Sequence, residues 1–406
     1  MSAQALPEEL LELIFDHIDE KLQLSRCSLV CRAWLFPSSR LLFRELNLQT
    51  QHESPNKTCR NWGNYFLRAV KASARMQNCV RKLSLSLPLP EFWHKWRVWP
   101  TSVLLETLRL FPNLKSITLT RLNFKHDTIS SSLAPRCPEY GLSLDTVELH
   151  DVPSLSICHS QVEESGASES TGLAKFLGLF TSIRVLSIED YVLPYRYPTI
   201  RRAVAPIPLP RQTPLKLEEL HLKGESSAKM LGALKEMVDP RHLRVLFVEL
   251  NAPVLSLANE FVGCMTALQT VRFLVREDLN ETRPATVVNL SACAELKSIS
   301  IPYLRNSGNQ VEAINAYIGC TVVPILSTAP PSVRYIHLSL EMDPLYAGSA
   351  VLRRVDWTSF SRSLERFPEL EVVELSSSGN HGWTSGMMEV VKGELSPATR
   401  RALQFT

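Results

Sequence analysis

Five times along this chain, apolar residues fall at three-residue steps that then tighten to a two-residue step, and few folds satisfy that rhythm. The copies are Leu108/Phe111/Leu114/Ile117/Leu119, Leu177/Phe180/Ile183/Leu186/Ile188, Val262/Met265/Leu268/Val271/Phe273, Leu290/Cys293/Leu296/Ile299/Ile301 and Leu364/Phe367/Leu370/Val373/Leu375. Chance would supply about one or two. The wide steps suit the last turn of a helix packing inward, and the closing alternation suits a strand with one buried face. Two copies share Phe-Pro-polar-Leu, at Phe111-Pro112-Asn113-Leu114 and Phe367-Pro368-Glu369-Leu370, which marks a tight turn between helix and strand.

A shorter core, apolar-x-x-apolar-x-apolar, is anchored ten times, at Val80, Leu114, Leu144, Ile183, Leu217, Leu243, Leu268, Leu296, Val333 and Leu370. Alone it carries little weight: Leu, Ile, Val and Phe make up roughly 30% of the chain, so about ten copies arise by chance. With the longer phase it resembles a divergent leucine-rich repeat. That resemblance implies an α/β fold with an irregular solenoid over residues 80–376, parallel strands on its concave face and helices on its convex face. Anchors stand about 25 to 39 residues apart rather than evenly, and Leu122, Val152, Tyr191 and Leu304 replace the Asn or Cys that normally follows the strand. An α/β domain built on one parallel sheet would show the same alternation of helices and strands.

The first 43 residues follow another pattern. Leu6-Pro7-Glu8-Glu9-Leu10-Leu11 opens a helical stripe of Leu10, Leu11, Ile14, Phe15 and Ile18, with Glu8, Glu9, Glu12, Asp16 and Glu20 on the remaining surface. Pro7 suits a helix start, and the early carboxylates suit its positive end. A second helix is expected from about Gln23 to Trp34, ended by Phe36-Pro37, and a short third one through Leu41, Leu42 and Phe43. Three helices in about 45 residues bury too little surface to be robust alone, which favours an outside partner.

The Leu-Pro opening and Cys27-Ser28-Leu29-Val30-Cys31-Arg32-Ala33-Trp34 resemble the F-box family, most closely its fungal members. The resemblance implies a module at 1–48 that docks on a Skp-family adaptor, and through it a cullin, within a ubiquitin ligase. Leu6, Pro7, Leu10, Leu29, Val30, Cys31 and Trp34 would line or support the adaptor interface. The rest of the chain would then hold a protein substrate: a helical linker at 49–79, the repeats, and a C-terminal helical cap at 377–406. Met387, Met388, Val391 and Leu395 could form that cap. The alternative is a repeat scaffold with no link to ubiquitination.

On the strands, the residues between the buried positions should face the concave side. Candidate substrate contacts there are Glu148, His150, Glu189, His221, Lys223, Phe247, Glu249, Arg272, Tyr335 and His337, a mixture of both charges with Phe247 and Tyr335 exposed. An ordinary solvated sheet face reads the same way.

Three insertions stand apart. Trp93, Trp96 and Trp99 alternate with His94, Lys95 and Arg97, a pattern that can stack bases, form a protein hot spot or cover the first repeat. A loop within 191–216 has six prolines and five cations without an acidic residue, and one at 156–172 is rich in Ser and Glu and open to phosphorylation.

A 45% apolar chain of 406 residues has ample material for a large core, and a formal net charge of +3 does not point to nucleic acid as main partner. Nine cysteines and the lack of a secretory pattern suggest reduced thiols in cytoplasm or nucleus. The longest uncharged stretch, Ala313 to Val333, is broken by Pro324, Pro330 and Pro331 and reads as buried rather than membrane-spanning. No glycine-rich phosphate loop, G-x-S-x-G elbow, H-E-x-x-H or paired zinc-ligand motif occurs. The expectation is a non-catalytic protein without cofactor or metal.

Overall fold

The computed structural model describes residues 6–49, 68, 70–86, 98–121, 123–125, 141–151, 176–190, 214–224, 227–276, 288–304, 310–340, 352–377 and 383–406. Met1–Asp190 and Tyr191–Thr406 form two compact units.

The first unit opens with α1 (Glu8–Asp16), α2 (Lys21–Cys27) and α3 (Arg32–Leu42). Pro7 sits just before α1, with its carbonyl accepting from the Leu10 and Leu11 N–H groups, and Glu8 and Glu9 occupy the first turn. The second helix is shorter than expected. It stops at Cys27, and Trp34 belongs to α3. Pro37 lies inside α3 instead of ending a helix: it deprives only the Ala33 carbonyl of an N–H partner, and in the next turn the Ser38 and Ser39 hydroxyls bond back to the Trp34 and Leu35 carbonyls.

From α3 the chain passes directly into β1 (Glu45–Gln49), a strand outside the ten anchored copies although Phe43/Leu46/Leu48 fits the short core. Then come α4 (Ala74–Cys79), β2 (Lys82–Ser86), β3 (Val98–Pro100), α5 (Thr101–Arg109), β4 (Ser116–Thr120), β5 (Asn123–Lys125), β6 (Leu142–His150) and β7 (Phe180–Asp190). The sheet of this unit runs β1-β2-β4-β6-β7, parallel throughout, with β3 and β5 paired separately. Gly141 enters β6 where a Cβ would lie 1.9 Å from Thr181 Cγ2, so glycine leaves room for the Thr181 side chain.

In the second unit, β8 (Lys216–Gly224), α6 (Ser227–Lys235), β9 (Val245–Leu250), α7 (Ala252–Val262), β10 (Thr270–Arg276) and β11 (Ser298–Leu304) come first. After α8 (Gln310–Ala316), a π-helical segment (Tyr317–Val322) and α9 (Val323–Thr328) come β12 (Tyr335–Leu340), α10 (Trp357–Leu364), β13 (Val372–Ser377), α11 (Ser385–Glu394), α12 (Pro397–Ala402) and β14 (Leu403–Phe405). The strands β8 to β14 are again parallel and in chain order. Among the described strands, order never reverses within either unit, so neither sheet has the switch point of a doubly wound fold.

All ten anchored cores are strands, and their inward triplets are buried except for Leu370, which is half-exposed. The missing Asn is replaced by backbone geometry. Arg121 (φ 59°), Asp151 (φ 48°) and Gly224 (φ 100°) hold the same place in three repeats, each in the left-handed region. The N–H of Arg121 then reaches the His150 carbonyl at 2.9 Å, and that of Asp151 the Glu189 carbonyl at 2.9 Å, each bonding to the next strand.

Candidate functional site: an exposed apolar face on the N-terminal helices

The three N-terminal helices have a small core of Leu11, Phe15 and Leu24, with Ile18, Cys27, Trp34, Leu41 and Leu42 packed against it. The Phe15 and Trp34 rings meet edge-on with centroids 5.3 Å apart. Ion pairs from Arg40 to Glu12, and from Arg44 to Asp16 at 3.4 Å, tie α3 and the residues just after it to α1. A single stripe of Leu10, Leu11, Ile14, Phe15 and Ile18 is therefore not what forms. The stripe splits, with Leu11 and Phe15 buried and Leu10 and Ile14 facing out.

That outward face is the most unusual surface among the described residues. Of nine exposed large apolar side chains, eight lie in this domain: Leu6, Leu10, Leu13, Ile14, Leu22, Leu29, Val30 and Phe36; the ninth is Tyr335. Leu29 and Val30 fall between α2 and α3 and are the most exposed, at 82% and 63%. Pro7 is exposed beside Leu6, and Cys31 is exposed at the N-cap of α3. Trp34 is half-buried against Phe15, so it holds up the surface rather than lining it. Leu13, Ile14, Leu22 and Phe36 extend the face beyond the residues singled out in the sequence. The signal for them was the excess of apolar positions around α1, more than one core-facing stripe can use.

In the first unit the structure brings Glu148, His150 and Glu189 together on the outer face of β6 and β7. Thr118 Oγ1 donates to Glu148 at 2.9 Å, His150 Nδ1 lies 3.2 Å from Glu189, and His150 Nε2 lies 3.9 Å from Glu148.

In the second unit His221, Lys223, Phe247, Glu249 and Arg272 cluster across β8, β9 and β10. Phe247 is buried rather than exposed as expected. Its ring lies under two cations, 5.7 Å from Lys223 Nζ and 5.2 Å from Arg272 Cζ, with the His221 ring edge-on at 6.0 Å. Glu249 is also buried, and it accepts from the Gly224 N–H at 2.9 Å. Phe247 departs from simple alternation because long neighbouring side chains fold over it, and Glu249 is drawn in toward the Gly224 backbone. Burial holds His221 below the ordinary histidine range, with Glu219 opposing and Lys223 and Arg272 adding to the effect.

Four strands along from His221, His337 bridges two hydroxyls, with Nδ1 2.9 Å from Ser300 Oγ and Nε2 2.8 Å from Ser376 Oγ. Burial lowers its pKa as well, opposed by Glu374 and assisted by Arg272. Tyr335 is exposed, with its hydroxyl donating to Glu371.

Trp93, Trp96, the Ser-rich stretch at 156–172 and residues 191–213 of the Pro-rich stretch lie outside the described residues, and Trp99 is described only as backbone in β3. Among the described residues no helix is long and apolar enough to cross a membrane.

A small helical domain with an apolar face and no reactive constellation has the makings of a docking module. Residues 3–49 match the F-box-like family. The chain thus carries an F-box-like domain, of a kind that is typically non-catalytic and binds Skp-family adaptors. No curated protein matches the chain.

Proposed function

We propose that this chain is the substrate-recognition subunit of an SCF-type E3 ubiquitin ligase. The concentration on the F-box-like domain of eight of the nine exposed large apolar side chains among the described residues carries the reading, because an apolar patch of that kind calls for a partner. Leu6, Pro7, Leu10, Leu29, Val30 and Cys31, extended by Leu13 and Ile14, contact the adaptor, and Trp34 fixes their positions from behind. A cullin is reached through the adaptor.

The strands beyond the F-box-like domain form a divergent leucine-rich-repeat solenoid over residues 80–376, a reading supported by strands that keep chain order within each unit. Its outer strand face holds a protein substrate. Glu148, His150 and Glu189 serve in the first unit; His221, Lys223, Arg272, Tyr335 and His337 serve in the second, over a base of Phe247 and Glu249. The chain supplies proximity, converting a bimolecular encounter into a local one, and other subunits carry the ubiquitin-transfer chemistry. Such a receptor works in the cytoplasm or nucleus.

The test compares clients recovered with the wild-type chain and with a Leu10→Asp/Leu29→Asp variant in cells with the proteasome inhibited. Ubiquitinated clients should co-purify with wild type, while the variant retains the same clients unmodified. Equal modification on both would overturn the reading.

A further inference from the structure

A second site lies within the first unit, on the side of α3 that carries Phe36. A cleft of about 680 Å³ opens between α3, α4, the turns that lead into β2 and β4, and the first half of β6. Its lining is strongly basic: Arg40, Arg75, Arg81 and Lys115 stand against one carboxylate, Asp145. Arg40 shares its charge with Glu12, and Lys115 stands 3.6 Å from Asp145. Arg75 lies over the Phe36 ring at 5.7 Å, and neither Arg75 nor Arg81 has a carboxylate partner among the described residues. Like charges gathered in one concavity repel each other, and the potential they focus attracts anions.

The repeat explains the placement. Arg81, Lys115 and Asp145 occupy the same register position in successive repeats, Arg81 and Lys115 just before β2 and β4 and Asp145 within the longer β6. Their backbones are linked in series, with the Lys115 N–H donating to the Arg81 carbonyl at 2.8 Å and the Asp145 N–H to the Lys115 carbonyl at 2.7 Å. Neighbouring strand entries are about 4.8 Å apart, so a string of linked anionic groups can meet one cation after another. Asp145 reverses the sign and sets the far limit of such a string, while Arg75 and Arg40 close the other side from α4 and α3.

We propose that this cleft binds a small, soluble oligophosphate, held by the guanidinium forks of Arg75 and Arg81 and by Lys115. The cleft is too small for a nucleic-acid duplex, and an arginine fork matches phosphate oxygens in two parallel hydrogen bonds. The ligand would neutralise the mutual repulsion of the cations and staple α3 and α4 to the strand-entry turns. This site is independent of the adaptor and of any ubiquitin ligase role.

The probe is inorganic tripolyphosphate, titrated calorimetrically into the full-length chain, with orthophosphate and citrate as comparison anions. Saturable binding at one site is expected, tighter than for either comparison anion and weakening with added salt. Arg75→Gln/Arg81→Gln should weaken it by roughly a hundredfold, about tenfold for each lost charge-assisted contact. Leu10→Asp/Leu29→Asp should bind as wild type does. The Arg81→Gln single variant, expected to lose about tenfold, decides the matter if the double variant melts early. Absence of saturable binding, unchanged affinity in Arg81→Gln, or equal affinity for citrate would overturn the proposal, the last favouring an acidic peptide instead.

Discussion

Cys31 and Cys293 present two thiols in opposite circumstances. Cys31 is exposed at the start of α3, while Cys293 is buried against the Val262 carbonyl and its pKa is pushed up to about 11 by burial. Because the thiolate is the reactive species, Cys293 should resist alkylation at neutral pH in the folded chain, whereas Cys31 should label readily. Addition of a Skp-family adaptor should slow labelling of Cys31 and leave exposed Cys264 and Cys320 unchanged; peptide mass spectrometry reads all four. Trp34→Ala should act through packing, lowering the stability of the N-terminal domain by about 2 kcal/mol or more as its contact with Phe15 is lost. Chemical denaturation followed by probes placed in that domain checks this. Sequence showed that Trp34 mattered but not which way it faced, since an apolar residue in a small helical domain can serve the core or the partner.

At the scale of elements, the strands were the most legible feature. A period of two with one buried face leaves little freedom, and every anchored core became a strand. Helix limits were less legible. Pro37 reads as a terminator, yet α3 continues past it, losing only the bond to the Ala33 carbonyl. The strand β1 follows the short core as Phe43/Leu46/Leu48, but Arg40 and Pro37 stand where the longer phase would place apolar residues, and Phe43 reads as the end of the third helix. One helix start lends itself to measurement. Asp356 caps α10, accepting from the Ser359 N–H at 3.0 Å and from its hydroxyl at 2.6 Å, and these bonds from Ser359 hold its carboxyl below the usual range. Asp356→Ala should cost about 1 kcal/mol in a urea titration. The stability from a depressed carboxylate is present above its ordinary value and fades as pH falls through the depressed one, so wild type and variant should converge in acid.

Across the whole molecule, the sheet face of the second unit should make stability depend on pH. His221 and His337 both have depressed pKa values, burial being the main cause, so folding favours their neutral forms. The unfolded chain therefore binds protons first as pH falls through the ordinary histidine value of 6.5. The resulting penalty begins there and is complete below the depressed values. Melting temperature should be steady from pH 8 to 7 and drop on the acid side of about 6.5, and His221→Gln/His337→Gln should flatten that drop. The composition of this face was legible strand by strand, but its relief was not. Burial of Phe247 and Glu249 depends on how Lys223, Arg272 and Gly224 from flanking strands settle over or beside them, which no single strand encodes. The account as a whole depends on the apolar face of the F-box-like domain engaging an adaptor. Calorimetric titration of a purified Skp-family adaptor into the full-length chain, with Leu10→Asp/Leu29→Asp in parallel, tests that directly. One-to-one binding is predicted for wild type, weakened by well over tenfold in a variant that melts at the same temperature. A folded wild-type chain that gives no binding, or a variant that binds equally well, would contradict it.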